Sequence, residues 1–251
     1  MGTEALDSNT TGNYNTGVGF QSLQAVTTGG YNTGVGYKTL FTNTGSLNTA
    51  VGWSALLSNT SASNNVAVGT NSSEKTTTGD QNVSVGVDSL NKNTTGSSNV
   101  AVGYYAGLNN TTGNCNVSLG VAANQNTSTG INNTAIGHIA LLSNTTASNN
   151  TAVGMSAMQT NTTGAGNVAV GRDSLKGNTT ADDNVAVGYT ALCTNTTGTD
   201  NTAVGNYSLR ANTTAVCNVV VGHNAGSDVT TGKENVFVGG GAGGGTITTG
   251  C

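Results

Sequence analysis

Asn150-Thr151-Ala152-Val153-Gly154 decides the fold, because near-copies of this stretch recur from one end of the chain to the other. Their glycines run from Gly19, Gly36 and Gly52 to Gly239, spaced 17 residues apart except for one interval of 16 between Gly36 and Gly52. The missing residue comes out of a turn, since Asn43-Thr44-Gly45 stands where most copies read Asn-Thr-Thr-Gly. Gly2 also lies 17 residues before Gly19. A short period held without a break marks a solenoid, in which each repeat is one coil and neighbouring coils bury each other. The expectation is an all-β fold, a parallel β-solenoid or β-roll of about fifteen coils, forming one repeat domain over residues 1–251. Met1 occupies a coil position otherwise held by Val, Leu or Ile, so the chain reads as a window of a longer fibre protein.

Each coil is numbered here from its glycine as position 1. The coil Gly188 to Val204 then reads Gly-Tyr-Thr-Ala-Leu-Cys-Thr-Asn-Thr-Thr-Gly-Thr-Asp-Asn-Thr-Ala-Val. Two short strands are expected. The first covers the Asn-Thr-Ala-Val segment, where positions 15 and 17 are β-branched in nearly every copy and, lying two apart, share one side of a strand. That side is assigned to the interior. The second follows the glycine turn, with a small residue at position 4 and Leu or Met at position 5 in most coils. Ser73, Gly107, Asn124, Gly226 and Gly243 break the leucine column and mark weaker coils. Asn at position 14 forms a ladder from Asn15 to Asn235.

With positions 15 and 17 assigned inward, position 16 must point out. It carries small residues in most copies, among them Ala50, Ala67, Ala101, Ala135, Ala152, Ala169, Ala186 and Ala203. A column of small residues admits close approach by another backbone, so these alanines are the expected subunit interface of a homo-oligomer. The Asn-Thr-Thr-Gly turns present a second column. Asn9, Asn59, Asn93, Asn110, Asn144, Asn161, Asn178, Asn195 and Asn212 each begin an Asn-x-Ser/Thr sequence, the requirement for a row of surface glycans. Turn chemistry explains the same residues, because Asn tolerates left-handed backbone angles and bonds its own backbone.

Composition excludes several classes. Seven Lys and Arg scattered through a chain of net charge −4 offer no basic stripe, so nucleic acid is not an expected partner. No apolar run has the length of a membrane span, so direct membrane insertion is not expected. The 38 Gly, absent Pro and 7% charged residues would suit a disordered chain, but disorder places no demand on a strict phase.

The four cysteines, Cys115, Cys193, Cys217 and Cys251, have no zinc-type spacing and are too few for a disulfide framework. Of these, Cys193 and Cys217 lie in successive coils and so are the pair that a bond could join. Gly239 to Gly244 imitates a dinucleotide-binding glycine pattern without the βαβ unit that gives it meaning. His138 and His223 have no triad partners, and Asp173, Asp182 and Asp183 read as solvated turn residues. Tyr14, Tyr31, Tyr37, Trp53, Tyr104, Tyr105 and Tyr189 could contact sugars but read as no continuous platform. No catalytic residue, metal ligand or cofactor is expected.

The run Asn133 to Leu141, Asn-Thr-Ala-Ile-Gly-His-Ile-Ala-Leu, and its relatives resemble the head repeats of trimeric autotransporter adhesins, and repeat regions of some phage tail fibres and secreted bacterial fibre proteins. The resemblance covers essentially the whole chain. It implies a left-handed β-roll, three chains side by side, displayed on a cell surface or virion and used for attachment to a host surface or glycan. The coil here is longer than the adhesin head coil, with its extra length in the Asn-Thr-Thr-Gly loop. The expected function is therefore a non-enzymatic extracellular structural or adhesive fibre. One alternative is an ice-binding β-solenoid, against which stands the adjacency of Thr at positions 9 and 10, since neighbours in a strand face opposite ways. Another is a subunit of a head-to-tail filament.

Overall fold

The computed structural model describes residues 2–244, and two compact units divide the chain, Met1–Thr129 and Gly130–Cys251. The architecture is a parallel β-solenoid, with three-residue strands and no helix among the described residues. The first unit carries β1 (Thr16–Val18), β2 (Thr33–Val35), β3 (Thr49–Val51), β4 (Val66–Val68), β5 (Val83–Val85), β6 (Val100–Val102) and β7 (Val117–Leu119). The second carries β8 (Thr134–Ile136), β9 (Thr151–Val153), β10 (Val168–Val170), β11 (Val185–Val187), β12 (Thr202–Val204), β13 (Val219–Val221) and β14 (Val236–Val238). Within each unit successive strands pair in parallel with like positions opposed, as in Ala152↔Ala169 and Ala169↔Ala186. The short coil keeps this register, because Gly34 still pairs Ala50 and Val35 still pairs Val51.

The glycine that ends each strand is set by sterics. Gly154 has φ +133°, and a Cβ there would lie 2.5 Å from the carbonyl oxygen of Gly171 in the next coil. No side chain fits.

Beyond it, the expected second strand does not form. Positions 3 and 5 sit in the left-handed region instead, as at Asp173 (φ 56°) and Leu175 (φ 48°), and the segment is a run of turns. Alternating handedness turns successive peptide groups in opposite axial directions, so this corner still bonds to both neighbours. Asp173 N–H donates back to Met155 O at 3.0 Å, while Leu175 N–H donates forward to Ala191 O at 2.9 Å.

The inward and outward sides of the strand are the reverse of the expectation. Ala50, Ala67, Ala101, Ala135, Ala152, Ala169, Ala186 and Ala203 are all 0% exposed within the single chain, so they form its core and are no subunit interface. The flanking Thr and Val residues at positions 15 and 17 point outward. The cause is the narrowness of the coil. Position 16 faces the large side chain at position 5 of the same coil, and a Cβ on Gly17 would already lie 3.0 Å from Leu6 Cγ. Opposite a leucine the position holds Gly or Ala in every coil but one, where Val220 faces Leu209.

Three of the breaks in the leucine column are matched by a neighbouring residue, one by size and two by polarity. Where Phe237 enlarges position 16, position 5 shrinks to Gly226, whose Cβ would meet the phenyl ring at 3.2 Å. Ser73 is matched by Ser84, and their hydroxyls bond at 2.8 Å inside the core. Asn124 is buried and accepts a hydrogen bond from the Thr127 hydroxyl. These three coils are repacked, with polar or size-matched partners in place of leucine.

Candidate functional site

Three polar ladders run along the coils, and they absorb most of the residues that the sequence offers for chemistry. The first is the position 14 asparagines. Asn167 N–H donates to Asn150 Oδ1 at 3.0 Å, and Asn184 N–H to Asn167 Oδ1 at 2.9 Å. The carboxamide nitrogen bonds laterally, from Asn150 to Gly164 O at 2.9 Å.

The second ladder is the expected glycan column. Asn59, Asn93, Asn110, Asn144, Asn161, Asn178, Asn195 and Asn212 are buried, and Asn9 of the first coil is the exposed exception. Asn178 Nδ2 donates to Asn161 Oδ1 at 2.8 Å and to Ala181 O at 2.9 Å, and Asn212 Nδ2 to Asn195 Oδ1 at 2.9 Å. The nitrogen that a glycan would modify is committed inside the fold, so this column is structural. The physical reason is that a turn carbonyl facing the interior needs a donor, and Asn at the start of the turn reaches it.

The third ladder lies at position 12. Ser63 N–H donates to Asp80 Oδ1 at 2.6 Å, and Ala165 N–H to Asp182 Oδ1 at 2.7 Å, so both carboxylates cap a backbone group of the coil before. Asp182 is thus a stacking residue and not merely a solvated one. Threonines at position 9 add to the stacking, as Thr162 Oγ1 donates to Thr179 O at 2.9 Å.

The remaining chemistry is dispersed. Asp173 pairs with Arg172 and Lys176, each at 3.1 Å, on the surface. Among the described residues no group of three His, Cys, Asp or Glu side chains converges as a metal site would require. Cys115 and Cys217 are exposed free thiols, and Cys193 is a half-buried one, so the bond open to Cys193 and Cys217 is not formed. Cys251 lies outside the described residues. Burial pushes the Cys193 thiol pKa up. The Tyr104 hydroxyl pKa is also raised, first through its hydrogen bond with Tyr105, whose ring stacks on it at 3.8 Å.

Aromatic side chains form more of an array than expected. Phe20, Tyr37 and Trp53 share position 2 in successive coils and stack, with centroids 5.5 Å and 3.9 Å apart. Tyr14 stacks on Tyr31 at 4.8 Å. The rings cover one another's faces, so they present edges outward and make a poor sugar platform.

What the strands leave open is their outer face. Positions 15 and 17 hold only Thr, Val, Leu and Ile in β1 through β14. Val170 is 36% exposed and Val102 is 39% exposed, which is unusual for valines in the middle of a parallel sheet. Within each unit these side chains form a two-column array, rows ~4.8 Å apart and columns ~6.7 Å apart, with no charge in it. The sequence pattern contained this surface, but with inside and outside exchanged. No family model, curated protein or solved structure matches the chain.

Proposed function

We propose that the protein is a non-enzymatic structural element of an extracellular fibre, in which the outer strand faces of identical chains pack lengthwise on one another. The observation that carries this reading is the uncharged, β-branched strand face, which remains exposed in the single chain. Parallel sheets are ordinarily covered on both sides, and a contiguous apolar surface of this kind marks an interaction site. A periodic face is best matched by an equally periodic one, and a second copy of the chain supplies it. The adhesin-head resemblance favours a threefold arrangement, with attachment to a host surface or glycan as its purpose and a cell surface or virion as its place. The interface differs from the one expected at first: it is the Thr/Val and Val columns and not the alanines.

Sedimentation velocity tests this directly. The protein is expected to run as a discrete oligomer, and the triple variant Ile136→Lys, Val153→Lys, Val170→Lys as a monomer with unchanged β-type circular dichroism. A monomeric parent protein at micromolar concentration removes the fibre reading.

The same face supports a second reading as an ice-binding surface, because two outward columns of Thr and Val in register present methyl and hydroxyl groups on a regular lattice. The objection based on positions 9 and 10 loses its force, since the array lies elsewhere. Thermal hysteresis in the monomeric fraction separates this reading from the first.

A further inference from the structure

The single short coil carries a second surface, away from the strand face. Phe41 and Leu57 occupy position 6 of the 16-residue coil and of the coil after it, the one place where two successive copies of that position are large and apolar. Elsewhere its apolar members, Leu108 and Leu142, are flanked by Asn91, Gln125 and Gln159. Around the pair opens a cleft of about 450 Å³, lined by Lys38, Phe41, Thr42, Leu57, Ser58 and Thr60. This lies within the ~300–1,000 Å³ usual for small-ligand sites. The Thr42 hydroxyl is already engaged, to Leu57 O at 3.2 Å and Asn59 O at 3.0 Å, which leaves the walls mainly apolar.

Lys38 supplies the polar end. Its ammonium lies 5.4 Å from the Tyr37 ring centroid and 5.5 Å from that of Phe41. It joins none of the ion pairs found among the described residues. Tyr37 is itself backed by Trp53 at 3.9 Å, so the cation rests on a stacked aromatic support. A cation without a carboxylate partner, beside an apolar cleft, is complementary to a small anionic amphiphile.

We propose that this cleft binds a small molecule with an aromatic or short acyl body and one carboxylate, the body between Phe41 and Leu57 and the carboxylate on Lys38. The test uses hydrocinnamate and its neutral amide, hydrocinnamamide, as probes in an NMR titration of the whole protein. Saturable shifts are expected at the backbone amides of Phe41, Thr42, Ser58 and Thr60. The carboxylate should bind about two- to fivefold more tightly than the amide, the range of an exposed ion pair. Lys38→Gln should abolish that difference, and Leu57→Asn should remove binding of both probes with the melting curve unchanged. Equal affinity of the two probes for the parent protein, or shifts that do not saturate, or shifts centred on the outer valines, would overturn the proposal. The oligomer measurement is unaffected by either outcome.

Discussion

Thr76 shows how much one residue of a ladder matters. It stands at position 8 where most coils carry Asn, and its buried hydroxyl has no hydrogen-bond partner. Asn59 Oδ1, one coil earlier, is also unpartnered, because Thr76 has no amide to offer it. Thr76→Asn restores the donor and should stabilise the protein by about 1 kcal/mol, read as a higher urea midpoint. The converse change, Asn161→Ala, removes one of the two bonds to the carbonyl of Gly164 and one of the two made by the Nδ2 of Asn178, each of which keeps its other partner, and should cost about 1–2 kcal/mol. Cysteine chemistry follows exposure: a maleimide should label Cys115 and Cys217 before Cys193. The raised pKa of Cys193 means that the folded thiol keeps its proton where the unfolded one loses it. Its contribution to stability is therefore constant at pH values below the ordinary thiol pKa and declines as pH rises from there toward the folded value. Thermal melts should show that decline in the parent protein and a shallower one in Cys193→Ala.

At the scale of the strand, inside and outside can be tested with adjacent residues. Ala152→Asp buries a carboxylate beneath a leucine and should cost on the order of 3 kcal/mol or more, whereas Val153→Lys should cost less than about 1 kcal/mol in the isolated chain. Equal urea midpoints for the two would reverse the assignment. The period, the strand and its terminating glycine are all legible in the sequence. The facing of the strand is not, because β-branched residues suit either side and alanine suits a tight core as well as an open surface. One signal was present: Asn150 and Ala152 lie two apart, so a buried ladder at Asn150 puts Ala152 inside with it. The second corner is opaque for another reason. Leu175 at φ 48° contradicts its own local preference, and it is held there by burial of its side chain and by a bond to the next coil. The cleft at Lys38 was illegible because it arises from a pairing of position 6 residues across one length change, and no single-residue pattern announces that.

For the whole molecule, the coil is the unit in which length can change. Excising Gly171–Val187 joins Val170 to Gly188 and returns every column to its place, since like positions pair like positions on either side of the cut. The shortened protein should keep its β-type circular dichroism and melt only slightly below the parent. Removing half as many residues puts core side chains on the surface and should unfold the neighbouring coils.

The short coil at Asn43-Thr44-Gly45 shows which residue the turn can do without. Thr44 keeps the stacking role of position 9, donating through its hydroxyl to Thr60 O at 2.7 Å, and strand register on both sides survives the loss of its neighbour. Position 10 is thus a mounting point. Thr163, Thr180, Thr197 and Thr214 occupy it in consecutive coils of the second unit, all exposed. Peptides grafted there would stand in single file at the spacing of the coils, which makes the solenoid a rack on which epitopes or binding tags can be set out at chosen intervals.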